Sequence, residues 1–143
     1  ISDTRRASVF GTPGVDIDWR NQNTFFLKTG EAKTYIGKYR GVNRIPLLKL
    51  SEMYLIAAEA SGDKGYLQTL RDHRGYVNYP LEENCDLAAE IEAEYRKEFM
   101  AEGQLFYYYK RLDYNTLPDM GVVMTGNYVF PMPDDEMEFG DIK

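Results

Sequence analysis

The sequence predicts a mainly α fold, a helical hairpin followed by further helices, with long loops and a few short strands. Three observations carry this reading. Leu47, Leu50, Tyr54, Ala57 and Ala58 recur at helical spacing just behind Pro46, a residue favoured in the first turn of a helix. Ser61-Gly62-Asp63 then separates this segment from a second helical one by a turn short enough to make a hairpin. Further on, Leu87, Ile91, Tyr95 and Phe99 repeat at i, i+4 behind Asp86, a strong capping residue.

Taken in order, residues 2–10 form a short helix capped by Ser2 or Asp3, with Arg5 and Arg6 outward, and Gly11, Pro13 and Gly14 end it. Residues 15–19, 24–27 and 34–36 lean toward β structure, with turns at 21–23 and Gly30. Helix follows from Leu47 to Ala60, its Ala57, Ala58 and Ala60 small enough to let a neighbour approach. Asp63 caps the next helix, from Lys64 to His73, which stops at Gly75. This hairpin resembles a tetratricopeptide unit, present in one copy. A loop with Pro80 leads to the Asp86-capped helix, which is expected to run to Gly103. An aromatic helix follows over residues 105–111. Residues 113–125 read as loop, 128–130 as a brief extended piece, and Asp134, Asp135 and Glu136 favour a closing helical turn.

With 143 residues, 43% of them apolar, the chain suits one domain over 1–143 with its own core. Net charge is −6 and uneven. Residues 1–50 hold nine Lys/Arg against four Asp/Glu, a balance of +5, and the remainder holds eight against nineteen, a balance of −11. An acidic protein repels phosphate backbones, so nucleic acid is not an expected partner. A solvated surface accounts for the basic first third. The lone Cys85 and lone His73 leave no disulfide, thiol cluster or His-rich metal site, and no cofactor is implied. No segment approaches the length of a membrane span. The start at Ile1 fits a fragment or processed product as well as a soluble protein.

Candidate chemistry is sparse. Glu94, Glu98 and Glu102 share one helix face, and paired carboxylates can cleave glycosidic bonds. The separation that chemistry needs usually comes from different elements facing a cleft, so pairing with Arg96, Lys97, Lys110 or Arg111 is the favoured reading. His73, between charged neighbours, reads as a helix-end cation. Asp16-Ile-Asp18 resembles the start of a calcium loop, but the required Gly and distant Glu do not follow. Trp19, beside Asn21, Gln22 and Asn23, is the candidate ligand contact, because an exposed ring flanked by amides can stack and hydrogen-bond a sugar. The competing reading is an anchor for its own loop.

Four stretches carry a resemblance to a known family. Leu50–Ala60 (LSEMYLIAAEA), with Lys49 before it, is similar to "R-x-A-E-x-Y-L-I-x-A-E-A". Leu67–Gly75 is similar to "L-N-x-x-R-x-R-x-G", and Ile91–Phe106, running to Lys110 and Arg111, to "E-x-x-x-E-x-x-x-E-G-x-x-x-x-D-x-x-R". Val129–Glu136 resembles "L-x-P-I-P-x-x-E", and Asp3–Arg6 resembles a preceding "D-x-R-R". In this order and spacing the chain resembles the C-terminal region of the SusD/RagB family.

The resemblance implies a SusD-like fold and a non-enzymatic lipoprotein at the outer-membrane surface. Such a protein captures oligosaccharides or similar nutrients for a partner TonB-dependent, SusC-like transporter, and a lipid anchor is expected on the parent protein. Glu52, Glu59, Glu98, Glu102, Arg71, Arg74 and Arg111 are expected to form charged ties between helices. Gly75 and Gly103 are expected to end helices where a side chain would clash. The alternative is a helical scaffold that docks a partner protein through Phe106–Tyr109 without binding a ligand.

Overall fold

The computed structural model describes residues 2–24, 26–28, 34–41, 43–118, 121–124, 126, 128, 129, 133 and 138. The chain divides into two compact units, 1–102 and 103–143.

The first unit opens with α1 (Asp3–Ile17), capped by the Ser2 side chain on the Arg5 N–H. Its helical dihedrals break at Gly11, where φ is +62°, and at Thr12. The glycine thus ends the first stretch as the sequence predicts. Helix then resumes from Pro13 to Ile17 and takes in most of residues 15–19, read above as β. Helical turns there are secured by the Asp18 N–H donating to the Gly14 carbonyl. Arg6 does not point outward. Its Nε donates to Asn21 at 3.0 Å, and Asn21 in turn donates to the Val15 carbonyl at 2.7 Å. A wide turn of π-helix follows over Arg20–Thr24. Strands β1 (Phe26–Lys28) and β2 (Thr34–Ile36) pair antiparallel, Leu27 opposite Tyr35.

The hairpin forms as expected, from α2 (Leu50–Ser61) and α3 (Lys64–Asp72). Gly62 adopts the left-handed conformation that closes α2, and Asp63 caps α3 through the Gly65 N–H. Tyr54 and Tyr66 approach across the turn, ring centroids 6.5 Å apart. Two details of α2 differ. It begins at Leu50, three residues after Leu47, and its buried stripe is Ser51, Leu55 and Ala58. Leu47 and Leu50, part of the set read above at helical spacing, are 90% and 73% exposed. A segment apolar on several sides supports more than one choice of buried face, and the neighbours of α2 make that choice.

Helix α4 (Leu87–Glu98) is capped by Asp86 on the Ala89 N–H and packs against α1 and α2. It stops five residues short of Gly103. Ile91, Tyr95 and Phe99 are buried with Leu55, Leu67, Leu70 and Tyr76 to make the core of this unit. The flank of α4 beside this stripe is buried too, and there its residues are Glu94, Lys97 and Glu98.

The second unit starts with α5 (Gln104–Arg111), entered from Gly103 at φ +83°. Among the described residues beyond its chain neighbours, no atom lies within 4 Å of where a Gly103 side chain would begin, so this glycine answers to its backbone angle. Tyr108 and Tyr109 are buried, and Tyr109 meets Tyr114 with the rings tilted at 52° and centroids 5.0 Å apart. Phe106 meets Tyr128 edge-on at 5.6 Å. The Leu117 N–H donates to the Val122 carbonyl, beside an isolated antiparallel bridge between Thr116 and Val123. The expected helical turn at 134–136 and the end of the expected extended piece, Phe130, lie outside the described residues.

Candidate functional site

The buried polar side of α4 needs partners, because an unpaired carboxylate in a protein interior costs several kcal/mol. Three of those partners, Arg20, Lys38 and Lys49, come from the first fifty residues, and Arg74 and Lys97 join them. Arg20, 2% exposed, projects from the start of the π turn. It forks onto Asp18, with Nε at 3.0 Å and Nη2 at 2.7 Å from its two oxygens. Its Nη1 lies 2.5 Å from Glu94 and 2.9 Å from Glu98. Arg74, at the end of the hairpin, donates to both Glu98 oxygens at 3.1 Å. Lys97 reaches Glu94 at 3.5 Å and the Tyr76 hydroxyl at 3.3 Å. Lys38 contacts Glu102 and the Glu98 carbonyl, and Lys49 lies 2.5 Å from the same Glu102 oxygen.

Protonation follows from this packing. Burial alone would lower the Arg20 pKa, but Glu94, Asp18 and Glu98 outweigh it and raise it. Burial would raise Glu98, yet hydrogen bonds from Arg74 and the charge of Arg20 bring it down to about 2. Glu94 is likewise lowered, burial being overcome by Arg20 and Lys97. Burial, with Asp18 and Glu94 nearby, pushes the Tyr76 phenol upward. Lys38 moves the other way. Burial and the adjacent Lys49 ammonium bring it down to about 7, with Glu98 opposing and Arg20 assisting.

Above this network a cleft of about 370 Å³ is lined by Trp19, Lys38, Tyr39, Lys49, His73 and Arg74, together with Arg20 and Glu98. Trp19 is 56% exposed. Its backbone N–H donates to the Arg74 carbonyl at 3.0 Å. Gly75, at φ +108°, makes this approach possible: a Cβ there would stand 2.3 Å from the Ile17 carbonyl and 3.1 Å from the Trp19 indole nitrogen. Both Lys38 and Lys49 lie over the Tyr39 ring, at 5.8 and 5.5 Å. A wider depression of about 660 Å³ runs along the loop at 78–86. Its arginine, Arg71, is paired with Glu90 at 2.6 Å. The Trp19 cleft is the stronger candidate because an exposed indole and two clustered ammoniums meet in it.

Of the residues singled out in the sequence, the structure brings Trp19, Arg74, Gly75, Glu98 and Glu102 together. Arg71 joins α3 to α4 through Glu90 and lies over the Tyr76 ring at 4.7 Å. Glu52, half-buried in the first turn of α2, makes no ion pair among the described residues, and Glu59 is half-buried near the end of that helix. Arg111 lies over the Tyr108 ring at 5.5 Å. Glu98 and Glu102 form ties to Arg20, Arg74, Lys38 and Lys49. The basic first third therefore supplies interior partners as well as surface. Asp18 is wholly buried on Arg20, a guanidinium clamp and not a calcium ligand. His73 ends α3, with Nδ1 donating to the Thr69 carbonyl at 2.8 Å. Arg20, Lys38 and Tyr39 escaped the sequence reading, and Lys49 entered it only as the position before the Leu50–Ala60 motif. The signal that pointed to them was the split of charge between the first fifty residues and the rest. Compared with protein-family models, with curated proteins and with solved structures, the chain matches none.

Proposed function

We propose that this chain is the C-terminal part of a SusD/RagB-type protein with a SusD-like fold. In this reading it is a non-enzymatic nutrient-binding component at the outer-membrane surface. It captures oligosaccharides for import through a TonB-dependent transporter. The observation that carries the reading is Trp19, an indole half in solvent at a concave cleft, with its backbone N–H held by the Arg74 carbonyl. An aromatic face presented this way stacks the apolar face of a pyranose, and the surrounding polar groups meet its hydroxyls. The motif residues support it as architecture, since Glu98, Glu102 and Arg74 tie elements together beneath the cleft. Glu98 stays ionised far below neutral pH, so it holds no proton for a glycosidic leaving group.

Because the chain has one Trp, its emission reports on the cleft directly. Titration with a panel of neutral and acidic oligosaccharides is expected to shift Trp19 emission saturably, with matching heat in calorimetry. Trp19→Ala is expected to weaken binding at least tenfold at unchanged stability. A panel that produces neither heat nor an emission change ends the nutrient-binding reading.

A second reading, a helical scaffold for protein contact, rests on a different surface from the one the sequence suggested. Within Phe106–Tyr109 only Tyr107 is largely exposed, at 68%. Leu47, Leu48, Leu50, Met53 and Ile56, by contrast, leave apolar surface uncovered along and before α2. Capture of a TonB-dependent transporter that is insensitive to every glycan and lost in Leu50→Glu would favour this reading.

A further inference from the structure

We infer that the Trp19 cleft selects an acidic saccharide, one bearing a uronate carboxylate or a sulfate ester, with the sugar face on Trp19 and the anion between Lys38 and Lys49. The inference rests on the nutrient-binding reading and names its ligand class. Its first ground is the crowding of charge. Two ammoniums, Lys38 and Lys49, converge on a single oxygen of Glu102. One carboxylate between two cations leaves positive potential at the cleft wall, and a second anion placed there would complete the alternation of charge. The second ground is Tyr39. Its ring lines the same cleft under both ammoniums, and its buried hydroxyl has no hydrogen-bond partner among the described residues. A buried donor without an acceptor is costly, and an incoming carboxylate or sulfate oxygen would satisfy it. The third is Trp19, which supplies a flat apolar surface beside these donors. A bare inorganic anion has no use for that surface; a charged sugar uses both.

The ionisation of Lys38 agrees with this geometry. Burial and Lys49 hold it down to about 7, so Lys38 readily loses its positive charge near neutral pH. An anion bound there favours the protonated lysine, and binding is expected to take up a proton. Among the groups facing Lys38 are Lys49, Arg20, Glu98, Glu102 and the Tyr39 ring. Arg20 stays charged and Glu98 stays ionised across this range.

The test is calorimetry and Trp19 fluorescence on the full chain with three tetrasaccharide probes of equal length: an oligogalacturonate, a sulfated galactan and a neutral xylo-oligosaccharide. The expected result is affinity at least tenfold higher for an acidic probe than for the neutral one. Which acidic probe binds tighter distinguishes carboxylate from sulfate ester. That advantage is expected to shrink with added salt in the wild type and to vanish in Lys49→Gln. The salt titration needs no variant, so the test survives if Lys49→Gln fails to fold. Heats in buffers of different ionisation enthalpy should show proton uptake at pH 7.5. Equal or tighter binding of the neutral probe overturns the inference and leaves nutrient capture standing. No binding of any probe overturns both.

Discussion

Arg20 Nη1 donates to Glu98 at 2.9 Å, joining residues 78 positions apart in the interior of the first unit. The same guanidinium holds Asp18 and Glu94, so a single cation, helped by Arg74 and Lys97, neutralises most of the charge that α4 buries. Removing one member of such a set is more damaging than the pairs are stabilising, because charges already taken out of water lose their partner.

Arg20→Met is therefore expected to destabilise the first unit by about 3–5 kcal/mol. Urea unfolding followed by Trp19 emission measures this. A loss below about 1 kcal/mol, the scale of an exposed ion pair, would mean that the network is solvated.

Acid should unfold the first unit through the same carboxylates. Glu98 falls from 4.5 to about 2 in the folded state, so the unfolded chain takes up protons first as pH drops. The stability contributed by Glu98 is fully present above about 4.5 and is lost as pH falls toward about 2. Melting temperatures between pH 6 and pH 2 should decline across that interval, and Glu98→Gln should flatten the decline. A slope unchanged by the substitution would remove Glu98 from the account.

Gly75→Ala should both destabilise the protein and disturb the cleft. The left-handed region costs an L-residue about 1–2 kcal/mol, and a methyl 2.3 Å from the Ile17 carbonyl adds to this. Trp19 emission should change in the folded variant, since the same methyl would press on the indole. Wild-type stability and emission together would show that the backbone relaxes without moving Trp19.

Leu55→Ala and Leu50→Ala separate the two possible faces of α2. Leu55 is fully buried and Leu50 is 73% exposed. Truncating the first should cost about 2–5 kcal/mol and truncating the second under about 0.5 kcal/mol. Equal losses would mean that Leu50 is covered in solution, by self-association or by a partner.

Local signals placed most of the helices. Asp63 and Asp86 cap α3 and α4 through their own side chains, and Gly62 ends α2 by adopting a conformation that costs glycine little. These interactions span a few residues, so the order of the chain displays them. The aromatic stripe of α4 was equally readable, since Ile91, Tyr95 and Phe99 repeat at the period of one face. Residues 15–17 were not: Gly11, Pro13 and Gly14 together signal the end of a helix, whereas only Gly11 and Thr12 break it and Pro13 restarts it.

The candidate site was half legible. Trp19 stood out because an aromatic beside amides is unusual in a loop-like stretch, and Glu98 and Glu102 because they share a helix face. Nothing local announced that Arg20 would meet Glu98, or that Lys38 and Lys49 would share Glu102. By itself, then, the sequence determined caps, turns, helical periods and a charge split between its first third and the rest. The tertiary structure alone decided which carboxylate each cation meets, which face of α2 is buried and where Trp19 stands. The reason is physical: capping and helical period act between residues a few positions apart, whereas an ion pair's partner depends on where distant segments are brought within about 4 Å in a medium of low polarity.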